Sequence, residues 1–342
     1  MDIKKQYYNI SEIPKKTELT ERIMVPHSEL NYCLNGLLCE RVSCLIAPTD
    51  SGKSCFMQGL IVSAIKQGYK AFLFDGENDE QEARDAIYRQ YLEYDKENFE
   101  YKTYVQNGKQ TNTGEYILKE SKYNEIDKIF ANRLFIYNNE LPATKKALIG
   151  CLQNSLNNEG WKFAVIDNAE MFDLEETNNE NRANAEIWKA LRLFAQVNKV
   201  HILIICHIKK TERDIIRPTI FDAKGTSSAT NIAKNILSLI RLDCVDKTTK
   251  EYKSLARVVE LNGYNIEECS AIVEILKTKG RKRELIGYKF NRISNSYYEA
   301  KKVNNEKSTE PILYDNTKST ENTKSKGFYE NATEIIGEDL PF

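Results

Sequence analysis

The chain has 342 residues, 41% of them hydrophobic and 29% charged, with a formal net charge of −1. That length suits one large α/β domain with extensions or two small domains, and the near-neutral charge excludes nucleic-acid binding through bulk charge, leaving only local basic clusters. No run approaches the ~18 apolar residues of a membrane span, and the opening MDIKKQYYNISEIPKK lacks the apolar stretch of a secretory leader.

Residues 1–30 are polar and basic without a clear period and are expected to be an N-terminal extension. Residues 31–298 alternate strand and helix signals. Apolar runs of strand length fall at VSCLIA (42–47), KAFLFD (70–75), RLFIY (133–137), KFAVID (162–167), VHILIIC (200–206), NILSLIR (235–241) and SAIVEILK (270–277). Near-continuous apolar runs of this kind suit strands covered on both faces, as in a parallel sheet. Between them lie helical patterns such as NAEIWKALRLFAQV, where Ile187, Leu191 and Phe194 share one face. The expected fold class is therefore α/β, a mainly parallel doubly wound sheet, with ligands bound beyond the carboxyl ends of its strands. Residues 299–342, rich in Lys, Asn, Thr, Ser and Glu, are expected to form a disordered tail ending in GEDLPF. The eight cysteines include no CxxC pair, and several, such as Cys44 and Cys206, sit inside apolar runs; buried reduced thiols are expected, not disulfides or zinc.

After the first long strand the chain reads APTDSGKS, Ala47 to Ser54. Pro48, Thr49, Asp50, Ser51, Gly52, Lys53, Ser54 and Cys55 would form a phosphate-binding loop. Gly52 lets the backbone close around phosphate, Lys53 reaches the β- and γ-phosphates, and the Ser54 hydroxyl can bind Mg2+. Ala47 stands where such loops begin with glycine. Asp167, ending KFAVID, is either the second metal-binding group (with Ser54) or the cap of a turn. Asp75, Glu77 and Asp79 follow another strand, and Glu77 is the candidate to polarise an attacking water, against the alternative of a solvated acidic turn. His207, at the tip of VHILIICH, is a candidate γ-phosphate sensor or a satisfied strand-end histidine.

Together these motifs resemble the RecA-like ATPase core of hexameric replicative helicases of the DnaB and Twinkle type, particularly phage versions. The matching pieces, in order, are GLLCERVSCLIAPTDSGKSCFMQG, GYKAFLFDGEN with Arg84, RLFIYNNE, KFAVIDNAEMF, VHILIICHIKK, FDAKGTSSATNIAKNILSLIR and ILKTKGRKRELIGYKFN, covering 31–298. The resemblance implies an ATP- and Mg2+-dependent DNA helicase that moves 5′ to 3′ on single-stranded DNA as a ring homo-oligomer, expected to be a hexamer. It implies Glu77 as the catalytic glutamate, Asp167 as the Walker B aspartate, and His207 as the residue linking γ-phosphate to DNA. Lys224, Gly225 and Thr226 match a DNA-facing loop. Arg241 matches a position that in some members acts as an arginine finger on the neighbouring subunit. Others use a Lys-x-Arg pair whose counterparts here are Lys277 and Lys279, and a lysine cannot make the bidentate contact of an arginine; Arg281 and Arg283 lie close by, so the choice of trans-acting cation stays open. The family's large N-terminal domains have no counterpart in residues 1–30, which would be either a linker arm to a neighbour or a solvated extension. The cysteine pattern points to a cytosolic compartment and the lack of a long apolar run to no membrane partner, and the phage-type resemblance implies a bacterial host.

Lys209, Lys210, Arg213 and Arg217 fall between the sensor strand and the DAKGT loop, where they would track a phosphate backbone or form an ordinary solvated basic loop. The GEDLPF end resembles the tip of bacterial single-stranded-DNA-binding proteins. It would dock a primase or host protein through Phe342, Glu338 and Asp339, compete with DNA for the channel, or be a frayed acidic end. Two rival functions remain: a RecA-like DNA-dependent ATPase without unwinding, and an ATP-switched binding module that recruits partners through the tip.

Overall fold

A computed structural model describes residues 19–303, except 94, 107–108, 142–143, 168–179, 209–216, 224–230 and 244. The chain enters through β1 (Arg22–Ile23), α1 (Ser28–Leu34) and β2 (Leu37–Leu38), then runs through β3 (Arg41–Ala47), α2 (Lys53–Lys66), β4 (Ala71–Asp75) and α3 (Glu80–Tyr91). A ribbon of β5 (Phe99–Gln106) and β6 (Lys109–Leu118) precedes α4 (Glu120–Phe130), β7 (Leu134–Ile136), α5 (Lys145–Glu159), β8 (Phe163–Asp167), α6 (Glu180–Asn198) and β9 (His201–His207). Last come β10 (Asn235–Arg241), α7 (Lys250–Leu261), β11 (Ala271–Lys277), β12 (Leu285–Asn291) and β13 (Ser296–Glu299).

Nine strands form one sheet in the order β13-β12-β11-β10-β3-β9-β8-β4-β7. From β10 to β7 every neighbouring pair is parallel, whereas β11, β12 and β13 add antiparallel strands at one side. Every apolar run read as a strand is one. In β3, β4, β8 and β9 alternate residues face opposite layers of the core. Val42, Cys44 and Ile46 of β3 join Leu148, Leu152, Ile187, Trp188, Leu191 and Phe194 of α5 and α6. Leu45 and Ala47 join Phe56, Met57, Leu60 and Ile61 of α2 on the other face. Covering both faces is what permits the near-continuous hydrophobic sequence of these strands. Among the described residues all seven cysteines are free, five of them buried.

The sequence pattern left three features unread. The β5–β6 ribbon is one, although its NG dipeptide between alternating segments is a hairpin signal. The strands β12 (LIGYKFN) and β13 (SYYE) are another, the second only four residues long. Third, the fold reaches further towards the N-terminus than residue 31: Ile23 pairs with Leu37, and Ile23 and Val25 are buried among otherwise polar neighbours. Glu299 closes this end by accepting hydrogen bonds from the Ser28 hydroxyl (2.8 Å) and the Glu29 and Leu30 amides (2.9 and 3.1 Å) at the start of α1. The N-terminal residues 1–18 and the tail from 304 onward, GEDLPF included, lie outside the described residues.

Two buried histidines sit in this framework. His27 packs between Phe56 and Tyr288, with ring centroids 5.7 and 4.8 Å away. Burial pushes it down to about 3 from its ordinary 6.5. His201, at the start of β9 with Nδ1 on the Leu38 carbonyl (2.9 Å), is pushed down to about 4, again by burial. Below about pH 6.5 the unfolded chain takes up protons that the folded chain refuses, so stability falls as pH drops. Thermal unfolding between about pH 7.5 and pH 5 should therefore show a falling Tm, and His27→Phe, which keeps the ring packing, should flatten part of the slope.

Candidate nucleotide site

The register of the parallel strands brings the site together. Ala47 ends β3 beside His207 of β9, and Asp75 ends β4 beside Asp167 of β8. Ala47 is still in the strand and is not among the residues with positive φ, so the methyl group that replaces the usual first glycine is accommodated without strain. The left-handed turns fall later, at Asp50 (φ 57°) and Gly52 (φ 83°). The Ser51 hydroxyl and the Lys53 ammonium both donate to the Pro48 carbonyl, at 2.7 and 2.8 Å, and draw the loop closed. The helix α2 then begins at Lys53 with no side-chain cap and no acidic residue in its first turn. Its first amides and the positive end of its dipole are thus left for an anion.

Across the loop, Asp167 is fully buried. Its Oδ2 lies 3.4 Å from the Ser54 hydroxyl, and its Oδ1 is buried with no hydrogen-bond partner. Burial, reinforced by the nearby charges of Asp75 and Glu77, pushes Asp167 up to about 7, while Lys53 and the Ser54 hydroxyl pull the other way. An orphaned carboxylate oxygen beside a hydroxyl, in a field of further carboxylates, fits a divalent cation. Among the described residues no group of three or more His, Cys, Asp or Glu is arranged to hold a metal alone, so water and phosphate oxygens would complete the coordination.

Glu77 stands in the turn after β4, and its Oε1 is 2.9 Å from Nε2 of His207. Two residues 130 apart in sequence, each singled out separately, therefore touch. Asp75, buried, is held above its ordinary carboxylate range chiefly by burial, against the hydrogen bonds of Asn78 and the Glu77 amide. Asp79 serves as the N-cap of α3, accepting from the Glu82 amide at 2.7 Å.

The candidate cations separate between the two ends of the sheet. The Arg241 guanidinium grips Asp243 (2.6 and 2.9 Å) and donates to the Asp50 carbonyl (3.2 Å), which puts it on the chain's own phosphate loop. Lys277 ends β11 at the level of Ile236, whose neighbour in β3 is Cys44, well back from the loop. Burial and the charges of Lys234, Lys279 and Arg283 hold Lys277 below its ordinary value. The Arg281 guanidinium lies 4.6 Å from the centre of the Tyr32 ring. Lys209, Lys210, Arg213, Lys224, Gly225 and Thr226 lie outside the described residues. Arg217, read as a DNA-tracking cation or part of a solvated basic loop, forms a two-pronged ion pair with Glu274 of β11 (2.8 and 2.6 Å).

The turn between β12 and β13 also reaches the loop. The Tyr297 hydroxyl occupies the place where a side chain at position 52 would begin, and Asn295 hydrogen-bonds the Cys55 thiol. Nothing in the local sequence marks these contacts, because they join positions some 240 residues apart.

A family model described as AAA domain matches residues 10–213. The chain belongs to the AAA-domain family. No curated protein matches it. Among solved structures, a DnaB-like replicative helicase described with its primase interactions aligns at TM-score 0.62 and 14% identity, covering 81% of this chain and 61% of that one. The isolated ATPase domain of a phage protein aligns at TM-score 0.61 and 14% identity, covering 82% of this chain and 91% of that one. At this identity the two show a common fold: the RecA-like sheet of helicase ATPase domains. The present chain spans about three fifths of the DnaB-like protein.

Gly52 is required twice, by its φ and by the Tyr297 hydroxyl. Gly52→Ala should cost about 1–3 kcal/mol in chemical denaturation, and adding Tyr297→Ala should recover only the contact, since the left-handed strain persists.

Proposed function

We propose that the chain is the motor core of a DNA helicase of DnaB/Twinkle type. It binds ATP with Mg2+, hydrolyses it at interfaces between copies in a ring, expected to be hexameric, and moves along single-stranded DNA. One observation carries the proposal: a phosphate loop, a Ser54–Asp167 pair and the Glu77–His207 bond meet at one edge of a helicase-type sheet. Membership of the AAA-domain family supports nucleotide chemistry, and the fold shared with two helicase ATPase domains supports its use in a motor.

When bound, Mg2+ would supply charge neutralisation to the phosphates, held by Ser54 and Asp167. Lys53 leaves the Pro48 carbonyl for the β- and γ-phosphates. Glu77 orients and polarises the attacking water. His207 engages the Glu77 carboxylate and also ends the strand that leads into Lys209, Lys210 and Arg213, so γ-phosphate and DNA act on one side chain. Lys224, Gly225 and Thr226 would line the DNA channel beside them. Arg241 would serve the chain's own nucleotide. Lys277 and Lys279, at the far end of the sheet from that loop, suit contact with a second copy, as expected for a head-to-tail ring. A primase or host replication protein is the proposed partner of the GEDLPF tip.

ATP hydrolysis measured with and without single-stranded DNA tests the motor. DNA should stimulate turnover, and Glu77→Gln should lower kcat about 100- to 10,000-fold. His207→Ala should reduce the DNA response more than turnover in its absence. Hydrolysis indifferent to DNA and to Glu77 would overturn the motor and favour an ATP-switched binding module. Stimulated hydrolysis without separation of a forked duplex would leave a DNA-dependent ATPase that does not unwind.

A further inference from the structure

The turn that carries Glu77 is held from two sides. On the inner side, Asp75 Oδ1 accepts the Glu77 and Asn78 amides, both at 3.1 Å, and the Asn78 side chain donates to both Asp75 oxygens at 3.1 and 2.9 Å. The Gly76 amide donates to the Asp167 carbonyl at 2.6 Å. On the outer side stands Asn139, in the loop that leaves β7. Its Nδ2 donates to the carbonyls of Asp75 (2.8 Å) and Asn78 (3.1 Å), so one side chain spans the turn on either side of Glu77. Its backbone amide separately donates to Glu80 Oε1 at 2.9 Å.

The geometry points to Asn139 as a positioning residue that sets Glu77 for water activation. This rests on the role of Glu77 proposed above. The Asp75 carboxylate holds the turn from within, through the Glu77 and Asn78 amides and the Asn78 side chain, and leaves the two outer carbonyls to Asn139. Without Asn139 the carbonyls of Asp75 and Asn78 lose their common tether, and the 75–76 and 78–79 peptide units that bracket the Glu77 segment are freer to move. A displacement of about 1 Å at a reacting group can cost about 100-fold in rate. Asn139 is exposed, and its backbone bond to Glu80 survives any side-chain change, so the fold does not depend on its amide group. The neighbouring Asn138 is a natural control. Its side chain accepts the Glu140 amide (2.9 Å) within its own loop, away from the Glu77 turn.

The test compares the full chain with Asn139→Ala, Asn139→Asp, Asn138→Ala and Glu77→Gln. Asn139→Asp keeps the shape but replaces the donor with a group that repels the two carbonyls. Both Asn139 variants should lower kcat for ATP hydrolysis about 10- to 100-fold while KM stays within about threefold. Asn138→Ala should match the natural chain. Amide exchange at residues 76–78, followed without nucleotide, should quicken in Asn139→Ala and not in Asn138→Ala. Full kcat in both Asn139 variants, or a loss shared by Asn138→Ala or accompanied by a lowered Tm, would overturn the positioning role while Glu77→Gln still showed a working motor. A natural chain that hydrolyses no ATP, or that is indifferent to Glu77→Gln, would overturn the motor itself and the positioning role with it.

Discussion

The pairing of β3 with β9 through all seven of its residues, from Arg41 opposite His201 to Ala47 opposite His207, is the constraint on which the site depends. It sets where the loop after β3 begins relative to His207. The β9–β8 and β8–β4 ladders then carry the same alignment outward to Asp167 and Asp75. In a parallel sheet a slip of one residue would turn every side chain to the opposite face. The two-sided apolar core forbids that slip, because each face is already filled by its own helices. Packing far from the nucleotide therefore determines the spacing of the chemical groups at the sheet edge.

Electrostatics at that edge run against the fold's own stability. Asp75 and Asp167 are both buried, within each other's field and that of Glu77, and burial raises both above the ordinary carboxylate range. A core optimised for stability alone would not gather these groups. Concentrated negative charge opposite an uncapped helix N-terminus makes sense when a cation and a polyphosphate are to be held between them. The loop's backbone turns through positive φ at Asp50 and Gly52, and the Tyr297 hydroxyl and Asn295 lie against Gly52 and Cys55.

The two ends of the sheet carry different cations. Arg241 lies against the chain's own loop, while Lys277 and Lys279 gather with Lys234 and Arg283 towards the other end. Arg217 stands in a basic stretch of sequence, and its guanidinium is matched to Glu274 on a strand no local pattern would pair with it.

Much was legible in the residues alone. Seven apolar runs marked seven strands, because a strand covered on both faces must be apolar throughout. The order of GKS, the glutamate after KAFLFD, and the aspartate and histidine ending two later strands marked the groups that the fold brings together as a candidate site, because parallel α/β sheets collect ligands at strand ends. What local pattern could not carry was pairing across distance. Strand order, the direction of β11 to β13, the separation of Arg241 from Lys277, and the roles of Tyr297, Asn295 and Asn139 were decided only in the tertiary structure. Each depends on contacts between segments far apart in the chain, and a hydrogen bond to a backbone carbonyl leaves no signature in the residue that accepts it. The sequence by itself determined which groups could do the chemistry; the folded sheet decided which of them meet.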